Sequence, residues 1–449
     1  MIIFIGLYLL SLVIIALVSK RLISSEKDYL LAGRSLPLSL SVFALFATWF
    51  GSETILGATQ EVLEGGFIKV IEEPFGAALC LILAGLFIVK PLYRMNLLTF
   101  GDFFKVKYGE KVEVLASFFL IISYFGWIAA QYVAFGLVLK TITGLNLEIS
   151  IFIAFLISLF MTFFGGMWSV ALTDFIQTIV ILISIFFIFG EILIKAGGIQ
   201  ALEKIPTSYF KILPELDIKS IILYIVAWIT IGLGSLPGQD LFQRFMSSKS
   251  EDAAYKSSII AGFMYLTVAV IPLITVLVIY FNFGFKTDNT LLDYVYLNTS
   301  PITKYLFFAG LLSAVLSTAT AAILAPSALL SENIIKKFFN HLSDLALLNI
   351  TRLSVFLVAL ISLLIAYSGE TIYNLVGLSS VLTLVSLFAP FIFGLYWKKA
   401  NSKGALASMV LGFLVWFIFY FFLREEELGI FFGFIVNILA MVVFSLIKI

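Results

Sequence analysis

The sequence predicts an all-α polytopic membrane protein, and three observations support this fold class. Of the 449 residues, 61% are hydrophobic and only 12% are charged, whereas soluble domains have about 45–50% apolar and 25% charged residues. Apolar runs long enough to cross a bilayer of about 30 Å recur along the chain, separated by short polar breaks. The basic residues fall mainly into alternate breaks, as they do in membrane proteins of fixed orientation.

Thirteen apolar segments can be placed. The first lacks the basic start and small-residue cleavage site of a signal peptide, and Lys20 and Arg21 follow it, so it is predicted as a spanning helix. The predicted spans are 1–18, 36–60, 67–89, 112–139, 148–164, 169–194, 219–243, 255–282, 303–333, 349–368, 371–397, 404–423 and 428–447.

The distribution of Lys and Arg predicts the orientation. An odd number of spans puts the two termini on opposite sides of the membrane. With the N-terminus outside and the C-terminus in the cytoplasm, 19 of the 28 basic residues face the cytoplasm. This excess agrees with the positive-inside rule. We therefore expect a multi-pass protein of the plasma or inner membrane with an outside N-terminus.

Two spans are interrupted in their middle. The second carries Gly51, Ser52 and Glu53 within apolar sequence, and the seventh contains the run GLGSLPG at 232–238. Transporters place binding sites at interrupted helices in corresponding positions of two repeats. The pattern predicts a single transporter domain, 1–449. Its parts are an accessory span at 1–18, inverted five-helix repeats at 36–194 (spans 2–6) and 219–397 (spans 7–11), and accessory spans at 404–447.

Four carboxylates interrupt the apolar sequence of spans. A charge in a spanning helix costs about 2.5–3.5 kcal/mol or more, so each needs a partner or a function. Asp174 lies about two turns inside span 6, where it can attract a cation leaving the site. Glu73 is interpreted as a solvated carboxylate at a helix start. The other two are Glu53 and Asp240.

Span 9 concentrates hydroxyl groups in an otherwise apolar helix. Ser317 and Thr318 are adjacent, and the Ala314 carbonyl lies one turn earlier. Together they can supply three neutral oxygens to a hard cation, although such hydroxyls commonly bond back to the carbonyl four residues earlier. No other metal site and no cofactor are expected. The single cysteine, Cys80, lies in an apolar run, and the single histidine, His341, lies in a polar connection.

Several motifs resemble the sodium:solute symporter family in the order in which they occur. The resemblance covers nearly the whole chain. The motifs are AGRSLP (32–37), the run from Trp127 to Gln131, GGMWSVALTDFIQ (165–177), QDLFQRFMSSKS (239–250) and SAVLSTATAAILAPSALLSENI (313–334). The resemblance implies a LeuT-like fold with thirteen transmembrane helices and coupling to Na+.

The resemblance also implies the positions of the sodium ligands. They would be the backbone carbonyls of Ala47, Phe50 and Ala314 and the hydroxyls of Ser317 and Thr318. Asp174 matches the acidic residue of the family that assists sodium release toward the cytoplasm.

Local similarity is greatest to choline-type carriers, at ATWFG (47–51), PFGAALCLILAGLF (74–87) and FQR (242–244). An aromatic cage suits a quaternary ammonium, and Trp49 and Trp127 stand where that subgroup has cage-type tryptophans. The sequence departs from the pattern at Gly238, where a further tryptophan is usual. The candidate solute-binding residues are Trp49, Gly51, Glu53, Trp127, Gln131, Gly238 and Gln239.

The predicted function is sodium-coupled import of a small polar organic solute by alternating access, with an amino acid or quaternary amine favoured over a sugar. The expected partners are this solute, Na+ and the lipid bilayer, without nucleic acid or an obligate protein partner. Alternatives are a sensor built on a transporter scaffold and a passive sodium channel. An enzyme is disfavoured because no nucleophile and base occur at a recognisable spacing.

Overall fold

The computed structural model describes residues 1–339 and 342–447, so His341 lies outside the described part. The described residues form helices and no β-strand. The helices are α1 (Ile2–Ser19), α2 (Glu26–Leu31), α3 (Leu38–Trp49), α4 (Ala58–Gly65), α5 (Ala77–Leu83), α6 (Val89–Met95), α7 (Phe100–Tyr108), α8 (Glu110–Thr143), α9 (Leu147–Lys195), α10 (Ile218–Gly234), α11 (Gln239–Ser247), α12 (Glu251–Phe283), α13 (Thr290–Asn298), α14 (Pro301–Leu329), α15 (Asp344–Ala366), α16 (Ile372–Ser386), α17 (Phe388–Tyr396), α18 (Ser402–Ile418) and α19 (Glu426–Leu446).

Within this part of the chain, nine continuous helical segments are long and apolar enough to span a membrane. Three bent pairs of helices meet the same test when each pair is taken together. They are α3 with α4, α10 with α11, and α16 with α17, with bends of 51°, 44° and 48°. The first two bends fall in the predicted second and seventh spans. The all-helical membrane fold predicted from composition is confirmed.

The longest helix, α9, contains the two spans predicted at 148–164 and 169–194. Gly166 divides it, with φ 50° and ψ −154°, outside the helical region. A Cβ at this position would lie 2.7 Å from the backbone oxygen of Tyr29. Only glycine combines a positive φ with so close an approach to another backbone. The glycine at position 166 therefore determines where α9 is divided. The total of thirteen spans remains a prediction.

The packing has a centre and a periphery. In α14, 94% of the apolar window is buried, whereas the value is 22% for the windows of α1 and α18. The sequence of α14 explains this, since Ala, Ser, Thr and Gly dominate its middle and allow neighbouring helices to approach closely. The peripheral helices present Leu, Ile and Phe to the surroundings, where lipid is the natural contact.

The beginning of α3 and the end of α11 are tied together by backbone hydrogen bonds. Leu36 donates its N–H to the Ser247 carbonyl at 3.0 Å and accepts from the Lys249 N–H at 2.9 Å. These residues form an isolated parallel bridge. The two predicted repeats therefore contact each other at the start of one interrupted helix and the end of the other.

Candidate ion and solute site

The first element of the site is the break between α3 and α4. Helix α3 ends at Trp49, and Phe50 leaves the helical region with φ −86° and ψ 79°. The Gly51 N–H bonds to the Trp49 carbonyl, so the Ala47 carbonyl loses the partner that a continuous helix would provide. It accepts a hydrogen bond from the Thr318 hydroxyl at 3.3 Å instead. The break thus exposes a backbone oxygen to α14.

The second element is the middle of α14. Ala314, Ser317 and Thr318 are fully buried. The Ser317 hydroxyl donates to Oδ1 of Asp174 on α9 at 2.5 Å, and Asp174 is itself fully buried. Thr318 contacts the α3 break, so α3, α9 and α14 meet at these two hydroxyls. The oxygens named from the resemblance as sodium ligands therefore lie on elements that pack against one another.

The face of Gly51 carries a further group of oxygens. A Cβ on Gly51 would lie 2.7 Å from Oε2 of Glu53, 2.7 Å from the hydroxyl oxygen of Thr318 and 3.1 Å from Oε1 of Gln131. Real Cβ atoms do not approach oxygens this closely, so these groups occupy the space that any larger residue would need. A residue larger than glycine at 51 would therefore displace these side-chain oxygens.

Beside this break lies a cavity of about 60 Å³, which we call the central cavity. Its size is sufficient for a few water molecules and too small for an organic solute unless the helices move. It lies between α3, α8, α10, α11 and α16. Its lining residues are Trp49, Glu53, Glu73, Ser123, Tyr124, Trp127, Ile231, Ser235, Gly238, Asp240, Val376, Ser379, Ser380 and Thr383.

Two carboxylates of the central cavity hold its two tryptophans. Asp240 accepts a hydrogen bond from Nε1 of Trp49 at 2.8 Å and from the Tyr124 hydroxyl at 2.5 Å. Glu53 accepts from Nε1 of Trp127 at 3.1 Å. Each indole ring is therefore held by its N–H, which leaves the ring to form a wall of the cavity. This arrangement favours a role in the cavity over simple helix packing.

A third carboxylate, Glu73, lies in the same cavity. It accepts hydrogen bonds from the Thr54 hydroxyl at 2.8 Å and from the Tyr265 hydroxyl. Only 2% of the residue is exposed. The interpretation of Glu73 as a solvated carboxylate at a helix start is therefore wrong. Residues 71–76 form a kinked segment that turns this side chain into the bundle, and a sequence pattern does not reveal that turn.

Apart from the phenol of Tyr124, the ionisable side chains that line the central cavity are all carboxyl groups. Three carboxylates line it, and its lining includes no Lys or Arg. Within the described part of the chain, no ion pair within 4.0 Å involves Glu53, Glu73 or Asp240. Buried charges are normally paired or bound to a cation, because removing them from water is costly. The cavity is therefore suited to a cationic ligand.

One buried cation lies one helical turn beyond the cavity. Arg244 is 1% exposed, and its Nη1 donates to the backbone oxygen of Asp240 at 3.4 Å. Its Nε and Nη2 have no hydrogen-bond partner among the described residues, and neither does Oδ2 of Asp174. Arg244 was not among the predicted site residues. In the sequence, Arg244 is marked only by the FQR motif (242–244), which resembles choline-type carriers.

The other candidate residues are distributed around these features. Gln131 is outside the lining, but its Nε2 donates to Glu53 at 3.0 Å and its Oε1 accepts from the Ser52 N–H at 3.1 Å. Gly238 lines the cavity. Gln239 does not, and its Oε1 accepts from the Phe100 N–H at 2.6 Å.

Sequence reasoning missed the lining residues of α16 and those of α8 other than Trp127. Examples are Tyr124, Ser380 and Thr383. Tyr124 and Thr383 do not differ locally from other polar residues of spanning helices. Their hydroxyls form hydrogen bonds with residues distant in the sequence. Tyr124 donates to Asp240, and Thr383 donates to the Gly234 carbonyl at the end of α10. The Ser-Ser pair at 379–380 was the available signal.

Comparisons with known proteins agree with this geometry. Residues 29–412 match the sequence profile described as the sodium:solute symporter family. The chain is 29% identical over 408 residues to the high affinity choline transporter 1 of Homo sapiens, covering 85% of this chain and 69% of that protein. It is 25% identical over 422 residues to sodium/proline symporter 2 of Staphylococcus saprophyticus, covering 88% of this chain and 81% of that protein.

Solved structures confirm the fold. A Na+-coupled sialic acid symporter in a substrate-bound outward-open state superposes with a TM-score of 0.84 at 17% identity, covering 98% of this chain and 96% of the other. The transporter MhsT, solved with L-phenylalanine, superposes with a TM-score of 0.57 at 15% identity, covering 90% and 97%. At these identities the likeness concerns the LeuT-type architecture alone.

Proposed function

The chain belongs to the sodium:solute symporter family and is a sodium-coupled solute importer, and from that premise we propose that its solute is a small organic cation, of the quaternary or protonated amine class. The protein is a transporter and not an enzyme. The solute would bind in the central cavity and be carried across the membrane by alternating access.

The charge balance of the central cavity carries this proposal. Asp240, Glu53 and Glu73 line it without a cationic side chain. A solute ammonium would supply the missing positive charge. The ring faces of Trp49 and Trp127 add cation–π attraction of about 0.5–2 kcal/mol each. A sugar would leave the carboxylates uncompensated, and the carboxylate of an amino acid would add a further negative charge.

The proposed sodium ligands are the carbonyls of Ala47, Phe50 and Ala314 and the hydroxyls of Ser317 and Thr318. Support comes from the contact between Thr318 and the Ala47 carbonyl at 3.3 Å. The proposed release path begins at Asp174, which bonds to Ser317. Sodium at this place would join α3 to α14 beside Gly51 and Trp49, so its binding would favour the shape of the cavity that accepts the solute.

We propose in addition that the two five-helix repeats, 36–194 and 219–397, move relative to each other during the cycle. The bent pairs α3–α4 and α10–α11 at matching positions support this assignment. The N-terminus would be outside and the C-terminus cytoplasmic. Helix movement is required because the central cavity, at about 60 Å³, is smaller than an organic solute.

The test is uptake by purified protein in liposomes, with choline, proline and glucose as labelled probes. With an inward sodium gradient we expect choline to accumulate. With potassium in place of sodium we expect no accumulation. Asp240→Asn should reduce choline uptake at low concentration at least tenfold, because it removes a charge from the cavity. Glu203→Gln, at an exposed carboxylate outside the cavity, is the matched control and should transport normally.

Accumulation of proline or glucose without choline would overturn the organic-cation proposal. Sodium-driven uptake would still stand in that case. Choline uptake that equilibrates without exceeding the outside concentration would favour a passive channel instead.

A further inference from the structure

A second and larger cavity, of about 620 Å³, lies next to the central cavity. We call it the vestibule. It is surrounded by residues of the segment 65–72, the loop at 208–215, α10, α16 with the residue Glu370 before it, and the stretch from Tyr420 to the first turns of α19. On the proposed orientation it opens to the outside. None of the predicted site residues lies in its wall.

The vestibule and the central cavity share three walls, and at each wall adjacent residues face different cavities. In the segment before α5, Glu72 lines the vestibule and Glu73 lines the central cavity. In α10 the corresponding neighbours are Thr230 and Ile231. In α16 they are Gly377 and Val376. The same three segments therefore contribute side chains to both cavities and separate one from the other.

The vestibule is rich in carboxylates. Five glutamates line it, and only two lysines oppose them, Lys69 and Lys211. No ion pair within 4.0 Å joins either lysine to a carboxylate among the described residues. A cleft of one sign with low-dielectric walls raises the local concentration of the opposite charge. The glutamates are Glu72, Glu215, Glu370, Glu426 and Glu427.

Glu72 has a special position in this set. Its Oε1 is out of contact with solvent and has no hydrogen-bond partner among the described residues. A Cβ on Gly377 of α16 would lie 3.7 Å from this oxygen. Tyr373, one turn earlier on α16, lines the vestibule beside it. An enclosed carboxylate oxygen without a donor is suited to receive a cation.

We propose that the vestibule is a loading subsite for the cationic solute, in which Glu72 and the neighbouring tyrosines hold an organic ammonium before it passes to Glu73. The subsite rests on the proposed organic-cation function. Tyr224, Tyr373 and Tyr420 line the vestibule and provide ring faces for a quaternary ammonium. Because Glu72 and Glu73 are adjacent, the cation would move between two carboxylates without crossing an apolar gap.

The test uses thiol chemistry and does not depend on transport. The single native cysteine, Cys80, is fully buried, so wild-type protein serves as an unreactive blank. Asn374→Cys places a thiol in the vestibule wall. Leu216→Cys places one on an exposed loop position outside it. For each variant the reaction rate is measured with a trimethylammonium-bearing methanethiosulfonate and with its anionic sulfonate analogue.

We expect the ratio of cationic to anionic rates to be at least tenfold higher at Asn374→Cys than at Leu216→Cys. Adding Glu72→Gln should lower the ratio at 374 several-fold. Adding Glu370→Gln should lower it as well, and because Glu370 is exposed, this change leaves folding intact. Lys211→Gln should raise it. Tetramethylammonium at millimolar concentration should slow the cationic reaction at 374 and leave the reaction at 216 unchanged.

Equal ratios at the two positions, or no protection by tetramethylammonium, would overturn the loading subsite. These measurements need no knowledge of the transported solute. If choline uptake fails while the ratio and the protection are as expected, the substrate proposal is wrong and the vestibule still binds organic cations. If choline is taken up and the ratio of cationic to anionic rates is the same at positions 374 and 216, only the loading subsite is wrong.

Discussion

The Ser317 hydroxyl lies 2.5 Å from Oδ1 of Asp174, and this contact joins the hydroxyl-rich centre of α14 to α9. One side of the pair faces the α3 break, through the neighbouring Thr318. The other side faces a buried polar region where Oδ2 of Asp174, the Gln177 amide and part of the Arg244 guanidinium lack partners among the described residues. The pair therefore joins the proposed sodium site to the buried polar region in which the proposed release path begins.

Removing both hydroxyls of the proposed sodium site should weaken sodium binding. In Ser317→Ala with Thr318→Ala, two of five oxygens are lost, so we expect the sodium concentration for half-maximal choline uptake to rise at least tenfold. Sodium-dependent uptake in liposomes measures this. Ser327→Ala is the control, because its hydroxyl lies farther along α14 and bonds to the Ile323 carbonyl. An unchanged sodium requirement would contradict the assigned ligands.

Asp174→Asn should change turnover more than affinity. The amide retains a hydrogen bond to Ser317 but loses the negative charge that attracts the departing ion. We expect the maximal rate to fall about tenfold with less than a threefold change in the sodium requirement. Glu191→Gln, near the other end of α9, is the control. A loss of sodium affinity without a loss of rate would assign Asp174 to the site itself.

Gly51→Ala should abolish transport. The added Cβ would meet oxygens of Glu53 and Thr318 at 2.7 Å, so the cavity and the sodium site would both have to distort. Gly190→Ala provides a matched control within a helix, since nothing lies within 4 Å of its Cβ position. There we expect normal uptake and a stability change of at most about 1 kcal/mol in favour of alanine. Normal uptake by Gly51→Ala would show that the break is loosely packed.

Glu26 should make stability depend on pH. This residue lies in α2, outside the predicted spans, and is 6% exposed. Burial, together with the nearby carboxylate of Glu332, raises the pKa of Glu26 to about 8. The folded state therefore binds a proton more tightly than the unfolded chain does. The associated stability is complete below the ordinary pKa near 4.5 and is lost as the pH rises through about 8.

The measurement is the thermal midpoint in detergent between pH 5.5 and 8.5. We expect the midpoint of the wild type to fall by several degrees over this range, and Glu26→Gln to lose most of that slope, since the amide stays neutral. The exposed Glu203→Gln should keep the slope of the wild type. Equal slopes for wild type and Glu26→Gln would show that Glu26 is ionised throughout.

The fold was largely predictable because the physical signals for it are local. Apolar runs of about 20 residues must form helices in lipid, where backbone groups have no water to bond. Glycine and polar clusters within such runs predicted two of the three bent spans. The third bend, between Ser386 and Phe388, lacks a comparable cluster before Pro390, and the sequence did not indicate it.

The site was predictable only in part. Trp49, Glu53, Trp127 and Gly238 line the central cavity. The two tryptophans are predicted by the family resemblance, and Glu53 and Gly238 by the interruptions of the second and seventh spans. Glu73 was misassigned, because the direction of its side chain depends on the kinked backbone at 71–76. Tyr124 was missed, because its importance comes from a hydrogen bond to Asp240, 116 positions away.

Sequence alone determined that this chain is a membrane protein, that two of its helices are broken and that one of its helices has a concentration of hydroxyl groups. Each of these follows from the composition of a short stretch and the cost of placing it in a bilayer. Tertiary structure alone decided which carboxylates meet in one cavity, that no basic side chain lines it, and that Glu72 and Glu73 face different cavities. Those facts depend on distances between separate helices, which a linear pattern does not encode.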